Sequence, residues 1–189
     1  RLYRVCCSNK GRQIIEIDFK QYCKDGIPCL EASSAATDQY KCYLGVIPGK
    51  VLADIYDKYG SKLLEGNVRS FLSTKVAVNK KIRATILNMP QMFFAFNNGI
   101  SATAMDVVVE NTDHGRFITF ARDLQIINGG QTTASISNAR YKDKADLDGL
   151  YVQMKLTAID ESTSEEADEL IRNISRSSNS QNKVSDADF

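Results

Sequence analysis

Apolar and polar residues alternate from residue 12 to residue 19, where Ile15, Ile17 and Phe19 recur at every second position. They alternate again through Tyr40, Cys42, Leu44 and Val46, ahead of Pro48-Gly49. A period of two sends side chains to opposite faces of a pleated chain, so both runs are predicted strands. Between them, Asp25 to Gln39 shows neither period and is predicted to be a loop. From Gly49 the spacing changes: Val51, Leu52, Ile55, Tyr56 and Tyr59 fall on one helical face, and Gly60 supplies the stop. Ile82, Ile86 and Met89 predict a second helix ended by Pro90. Strand-like runs follow at Met92 to Phe96, Ile100 to Glu110 and Arg116 to Ile127, the last two joined by a polar turn around His114. Thr132 to Arg140 reads as a helix of about two turns. Leu150 to Ile159 alternates once more, with Tyr151, Lys155, Thr157 and Ile159 on one side and Val152, Met154, Leu156 and Ala158 on the other. Ser162-Thr163-Ser164 ahead of Glu165-Glu166 gives overlapping capping boxes for a last helix carrying Leu170, Ile171 and Ile174. Strands and helices so interspersed predict an α/β (mixed α+β) fold, a mixed sheet with interspersed helices in a single domain.

Composition supports one ordinary folded domain: 43% of the 189 residues are apolar and 25% charged. The longest apolar runs are far shorter than the roughly 18 to 20 residues of a membrane-spanning helix, so no membrane partner is expected. Twenty-four bases against twenty-three acids leave a net charge of +1, too little to hold nucleic acid through bulk charge. Any such binding must be local, and the charge is indeed uneven. Lys58 to Arg83 holds seven bases and one acid, whereas Asp143 to Leu170 holds nine acids and two bases. The acidic block reads as a solvated face. The basic block surrounds Asn67-Val68-Arg69 and Asn79, whose amide and guanidinium donors suit phosphates. The five cysteines (Cys6, Cys7, Cys23, Cys29 and Cys42) are odd in number and are not spaced as two CxxC halves, so free thiols in a reducing cytoplasm are expected, with no metal and no cofactor. With His114 the lone histidine, His-dependent triads are disfavoured. The chain begins at Arg1 without Met, and Ser185 and Asp188 resemble the first turn of another helix, so it reads as a fragment.

Three polar clusters interrupt the apolar segments. Phe96-Asn97-Asn98-Gly99-Ile100 carries the Asn-Gly signal of a hairpin turn. Leu124 to Thr133 is a strand running into Gly129-Gly130 and then a helix, a geometry that opens helix N-terminal amides to anions. It matches neither a P-loop nor a dinucleotide fingerprint. Ser177 to Asn182 follows the last helix and reads as its polar cap. Candidate ligand-binding residues are therefore Asn97, Asn98, Gly99, Asn128, Gly129, Gly130, Gln131, Thr132, Asn179, Gln181 and Asn182. Candidate phosphate contacts are Arg69, Lys80, Lys81 and Arg83. Uncharged amides donate and accept, so they suit base edges, sugars and phosphates, while the cations supply salt-dependent attraction. Local turns and caps would use the same residues without any ligand. Convergence of the three clusters on one concave surface near the basic block separates the two cases.

Taken in order, NVRSFL (67 to 72), VNKKI (78 to 82), FNNGIS (96 to 101), DLQIINGGQTTASI (123 to 136), VQMKL (152 to 156) and NSQNKVSDADF (179 to 189) resemble the AIPR family, the abortive infection phage-resistance proteins. The resemblance spans residues 40 to 189, leaving residues 1 to 39, read as N-terminal strands and a loop, without an assignment. It implies bacterial antiphage defence, and the greater length of family members agrees with the reading of a domain truncated at its C-terminus and joined to further domains of the same polypeptide. It implies no reaction. The NGGQ turn is also similar in placement to the DGQHR-type turn of other DNA-modification proteins. Asn128 and Thr132-Thr133 replace that pattern's acid and His-Arg pair, so no NTP-hydrolysing chemistry is carried over. The expected ligand is nucleic acid or a nucleotide, and a second copy of the chain is an open partner. One alternative is a metal-dependent nuclease, with Gln153-Met154-Lys155 as a variant of (D/E)xK and Asp123, Asp146 or Asp148 as a metal-binding carboxylate. The other is an interaction or sensor module in which the polar clusters knit the fold and the acidic helix from Ser164 to Ser175 meets a basic partner.

Overall fold

The alternating runs form strands, and the computed structural model, which describes residues 14–64, 76–159 and 164–180, adds one where a loop was expected. Strand β1 (Glu16–Asp18) is followed by β2 (Ile27–Glu31) inside the aperiodic stretch, then by β3 (Tyr40–Pro48). Periodicity misses β2 because Ile27 alone is fully buried, Leu30 faces solvent and Pro28 has no amide for the ladder. The two long runs expected after residue 100 are each broken in two. Met105 separates β4 (Ile100–Ala104) from β5 (Asp106–Thr112), and Asp123, at a positive φ of 53°, separates β6 (Gly115–Arg122) from β7 (Gln125–Asn128). β5 and β6 form the hairpin predicted around His114. The last strand, β8 (Tyr151–Ile159), pairs antiparallel with β3 from Tyr40–Ile159 to Pro48–Tyr151.

All eight strands belong to one mixed sheet. β5 pairs with one edge of β6, while β1 and β2 share the other. β2 then passes from β6, through Ile27 and Pro28, to β3, through Cys29 to Glu31, and so links an antiparallel section to the order β3-β8-β4-β7. β4 runs parallel to β8 and antiparallel to β7.

Five α-helices complete the described fold: α1 (Gly49–Tyr59), α2 (Val76–Asn88), α3 (Phe93–Phe96), α4 (Gly130–Asp143) and α5 (Ser164–Ser180). Gly60 ends α1 at a φ of 57°. The run from Met92 to Phe96 is helical rather than extended: Pro90 opens a 3-10 turn that feeds α3, and its apolar residues have no period of two to hold them in a sheet. Asn97-Asn98-Gly99 therefore joins a helix to β4 and is not the expected hairpin.

Register explains which face is buried. Tyr43, Leu156, Ala102 and Ile126 are cross-strand neighbours, as are Gly45, Met154 and Ile100, and both rows face the main core with Val51, Leu52, Ile55, Ile86, Ile136 and Ala139 of the helices. The Val, Leu, Ile and Met side chains among them contribute roughly 1.5–3 kcal/mol each when fully buried. The opposite face presents Leu44, Lys155 and Ser101 in one row and Cys42, Thr157, Thr103 and Gln125 in the next. Helix α5 covers part of that face through a separate apolar cluster of Ile159, Ala167 and Ile171, with Met105, Leu170 and Ile174 around it. Among the described residues no helix is long and apolar enough to cross a membrane.

Candidate functional site

The two glycine turns interlock. Strand β7 buries Ile126 and Ile127, then Gly129 takes a φ of 88° and α4 begins at Gly130. Both the amide and the hydroxyl of Thr133, in the first helical turn, donate to the Gly129 carbonyl, at 3.0 and 3.1 Å. Gly129 lies against the other motif: a Cβ there would stand 2.7 Å from the Gly99 carbonyl oxygen. Gly99, with a φ of 75°, lies in turn on β8, where a Cβ would stand 2.2 Å from the Gln153 carbonyl oxygen. Only glycine permits this three-deep backbone contact.

Amide side chains close the same junction. Asn97 Oδ1 accepts from the Gly99 amide at 2.8 Å and from the Thr132 hydroxyl at 3.3 Å, tying the first turn to α4. Asn128 Nδ2 donates to the Ser178 carbonyl at 2.8 Å. Asn179 Nδ2 donates to the Ile127 carbonyl at 2.9 Å and to the Ser175 carbonyl at 2.8 Å. The third cluster is therefore partly helical, since α5 continues through Ser180. Three segments distant in sequence do converge, but Asn97, Asn128 and Asn179 are engaged within the protein, Asn97 with the Gly99 amide and the Thr132 hydroxyl, Asn128 and Asn179 with backbone carbonyls across the β7–α5 contact. Asn98 stays exposed. Gln181, Asn182 and Arg69 lie outside the described residues.

Gln131 looks elsewhere. It lines a cleft of about 570 Å³ between α2 and α4, with Asn79 and Arg83 from α2, Ser135, Asn138 and Lys142 from α4, and Tyr56 from α1. Two candidates that sequence placed in separate motifs, Gln131 and Arg83, thus share one concavity. Asn79 Oδ1 is buried without a hydrogen-bond partner among the described residues. Arg83 grips Asp143 with two hydrogen bonds, 2.8 and 2.5 Å, and this contact holds the Asp143 carboxyl below its ordinary range. Burial, and then the charge of Asp57, pushes the Tyr56 phenol upward, so it remains a neutral hydroxyl at neutral pH. Lys80 and Lys81 are exposed on α2. Behind the cleft, α1 and α4 are clasped by Arg140, which reaches Asp54 and Asp57 at 2.6 Å each. Sequence reasoning missed Ser135, Asn138 and Lys142, although their spacing from Gln131 by four, three and four residues marks one polar helical stripe.

A second, smaller groove of about 310 Å³ lies across the sheet, between α5 and the outer rows, and includes Lys155. Gln153 and Lys155 are both exposed on β8, whereas Met154 is buried in the core. Asp123 occupies the β6–β7 turn, and Asp146 accepts from the Asp148 amide in the loop after α4. Among the described residues no three His, Cys, Asp or Glu side chains gather as a metal-holding group. Cys23, Cys29 and Cys42 are free thiols, and burial raises the first two above the ordinary thiol value.

No curated protein and no solved structure matches the chain. The matching family model, described as AIPR protein, begins at Leu64, which bridges to Ile126 of β7, and it takes in both glycine turns, β8 and α5. Since it covers residues 64–189, about two thirds of the chain, the chain belongs to the AIPR family of abortive-infection phage-defence proteins.

Proposed function

We propose that this phage-defence domain binds nucleic acid or a nucleotide, and that the ligand enters the cleft between α2 and α4. The observation that carries this reading is the meeting of Gln131 and Arg83 in one concavity with two further amides, Asn79 and Asn138, and a second cation, Lys142. Amides can match the mixed donors and acceptors of a base edge, and Lys142, beside the Arg83 that Asp143 holds, can face a phosphate. The buried Asn79 oxygen is an acceptor that a donor from the ligand would satisfy. The volume is within the roughly 300–1,000 Å³ usual for ligand clefts. Isothermal titration of the chain with nucleoside monophosphates and with short single- and double-stranded oligonucleotides, with and without magnesium, tests binding and product formation together. Gln131→Ala should weaken binding on the order of tenfold, the loss of one amide contact of about 1–3 kcal/mol. Unchanged affinity in that variant would sink the placement.

A second reading also has an observation behind it. Because Asn97, Asn128 and Asn179 bond within the protein, the amide clusters can serve an interaction module by holding its fold together. Such a module would bind none of the nucleotides.

A further inference from the structure

Helix α5 changes character along its length. Its earlier turns sit on Ile159 and Met105 through Ala167, Leu170, Ile171 and Ile174. Its last turn is tied to the end of β7 by hydrogen bonds, Asn128 to Ser178 and Asn179 to Ile127. Beside this last turn the helix and the sheet enclose the groove of about 310 Å³. Its floor holds Lys155 beside Ser101, with Thr157 in the next row, and its wall holds Asn173, Ser177 and Ser178.

Two features, one in this groove and one beside it on the same face of the sheet, are unexplained by packing. Lys155 is a cation without an ion pair among the described residues. An ammonium beside hydroxyls in a concave site raises the local concentration of anions. The second feature is Thr103, which stands in register with Thr157 on the same face of the sheet. It is 1% exposed, and its hydroxyl has no hydrogen-bond partner among the described residues. Buried polar groups are seldom left so, and those that are call for an explanation.

We infer that the groove between α5 and the outer face of the sheet is an anion site that takes a phosphate group on Lys155, Ser101, Ser177 and Ser178. Three hydroxyls, an ammonium and the Asn173 amide supply donors on both walls, which suits a tetrahedral oxyanion with several acceptor oxygens. The motif amides Asn128 and Asn179 act here as positioning residues: they touch no ligand, but they fix α5 at the height that forms the groove. The inference is independent of the cleft between α2 and α4, because the two concavities share no residue.

The test is a titration of the isotope-labelled chain with inorganic phosphate, and separately with a nucleoside monophosphate, against chloride at matched ionic strength, followed by amide chemical shifts. Saturable shifts at Ser101, Thr157, Ser177 and Ser178 are expected with phosphate and not with chloride. Lys155→Met should weaken phosphate binding by about tenfold or more, as expected for losing a charge-assisted hydrogen bond, and Lys155→Arg should retain most of it. Gln131→Ala should leave the phosphate shifts intact, so failure of the cleft reading and failure of this one are separate results. Shifts from the monophosphate but not from phosphate would assign the site to a larger ligand and overturn the phosphate inference. So would shifts spread over the surface lysines, or a Lys155→Met variant that binds as the parent does.

Discussion

Two regions of this molecule carry the same kind of side chain in opposite roles. At the junction of β4, β7, α4 and α5, the amides of Asn97, Asn128 and Asn179 bond to neighbouring backbone, and two glycines let the turns touch. In the cleft between α2 and α4, Gln131, Asn79 and Asn138 line an open concavity beside Arg83 and Lys142. The first arrangement satisfies backbone donors and acceptors that the chain exposes wherever a strand meets a helix. The second places its amides on the wall of a cleft. Asparagine and glutamine in a family motif are therefore not a uniform signal: their partners decide whether they stabilise or recognise.

The most severe way to break this contrast is at the glycine stack. Gly99→Ala should cost on the order of 2–4 kcal/mol, because its Cβ meets the Gln153 carbonyl while the backbone holds a positive φ. Chemical denaturation would measure it, and a variant as stable as the parent would mean that the turns do not interlock. Asn128→Ala should cost less, about 1–3 kcal/mol, since it leaves the Ser178 carbonyl without its amide donor. If the contrast is right, Asn128→Ala lowers the melting temperature with its cleft affinity kept, while Gln131→Ala does the reverse. Finding both variants equally stable and equally weak in binding would merge the two regions.

The smallest expected effect concerns pH. Arg83 holds the folded Asp143 below its ordinary carboxylate value, so the folded state gives up that proton more readily than the unfolded state. The contribution is present above the unfolded value and is lost as the pH falls through the lowered folded value. Stability curves of the parent and of Arg83→Ala should therefore differ at neutral pH and approach each other in acid. A gap that stays constant across that range would show that the ion pair is not its source.

Much of the architecture was legible because period carries burial. β3 and β8, the hairpin at His114, and helices α1, α2, α4 and α5 all follow from spacing, and so does the strand-to-helix turn at Asn128 to Gln131. The misses share a cause. In β2 the burial pattern is set by pairing with two different strands rather than by one buried face. In the segment from Met92 to Phe96, an apolar run without a period suits a helix turn as well as a strand, and Pro90 settled the outcome.

By itself the sequence determined the class of the fold, the family, and the positions where the backbone must turn sharply, since each depends on residues near one another in the chain. It also supplied the polar stripe of α4, although nothing local said what the stripe would face. Only the tertiary structure decided that Gln131 would share a cleft with Arg83 while Asn128 bonded to Ser178. Which side of a sheet a helix covers depends on register and on contacts between segments dozens of residues apart, and these appear only when the core closes.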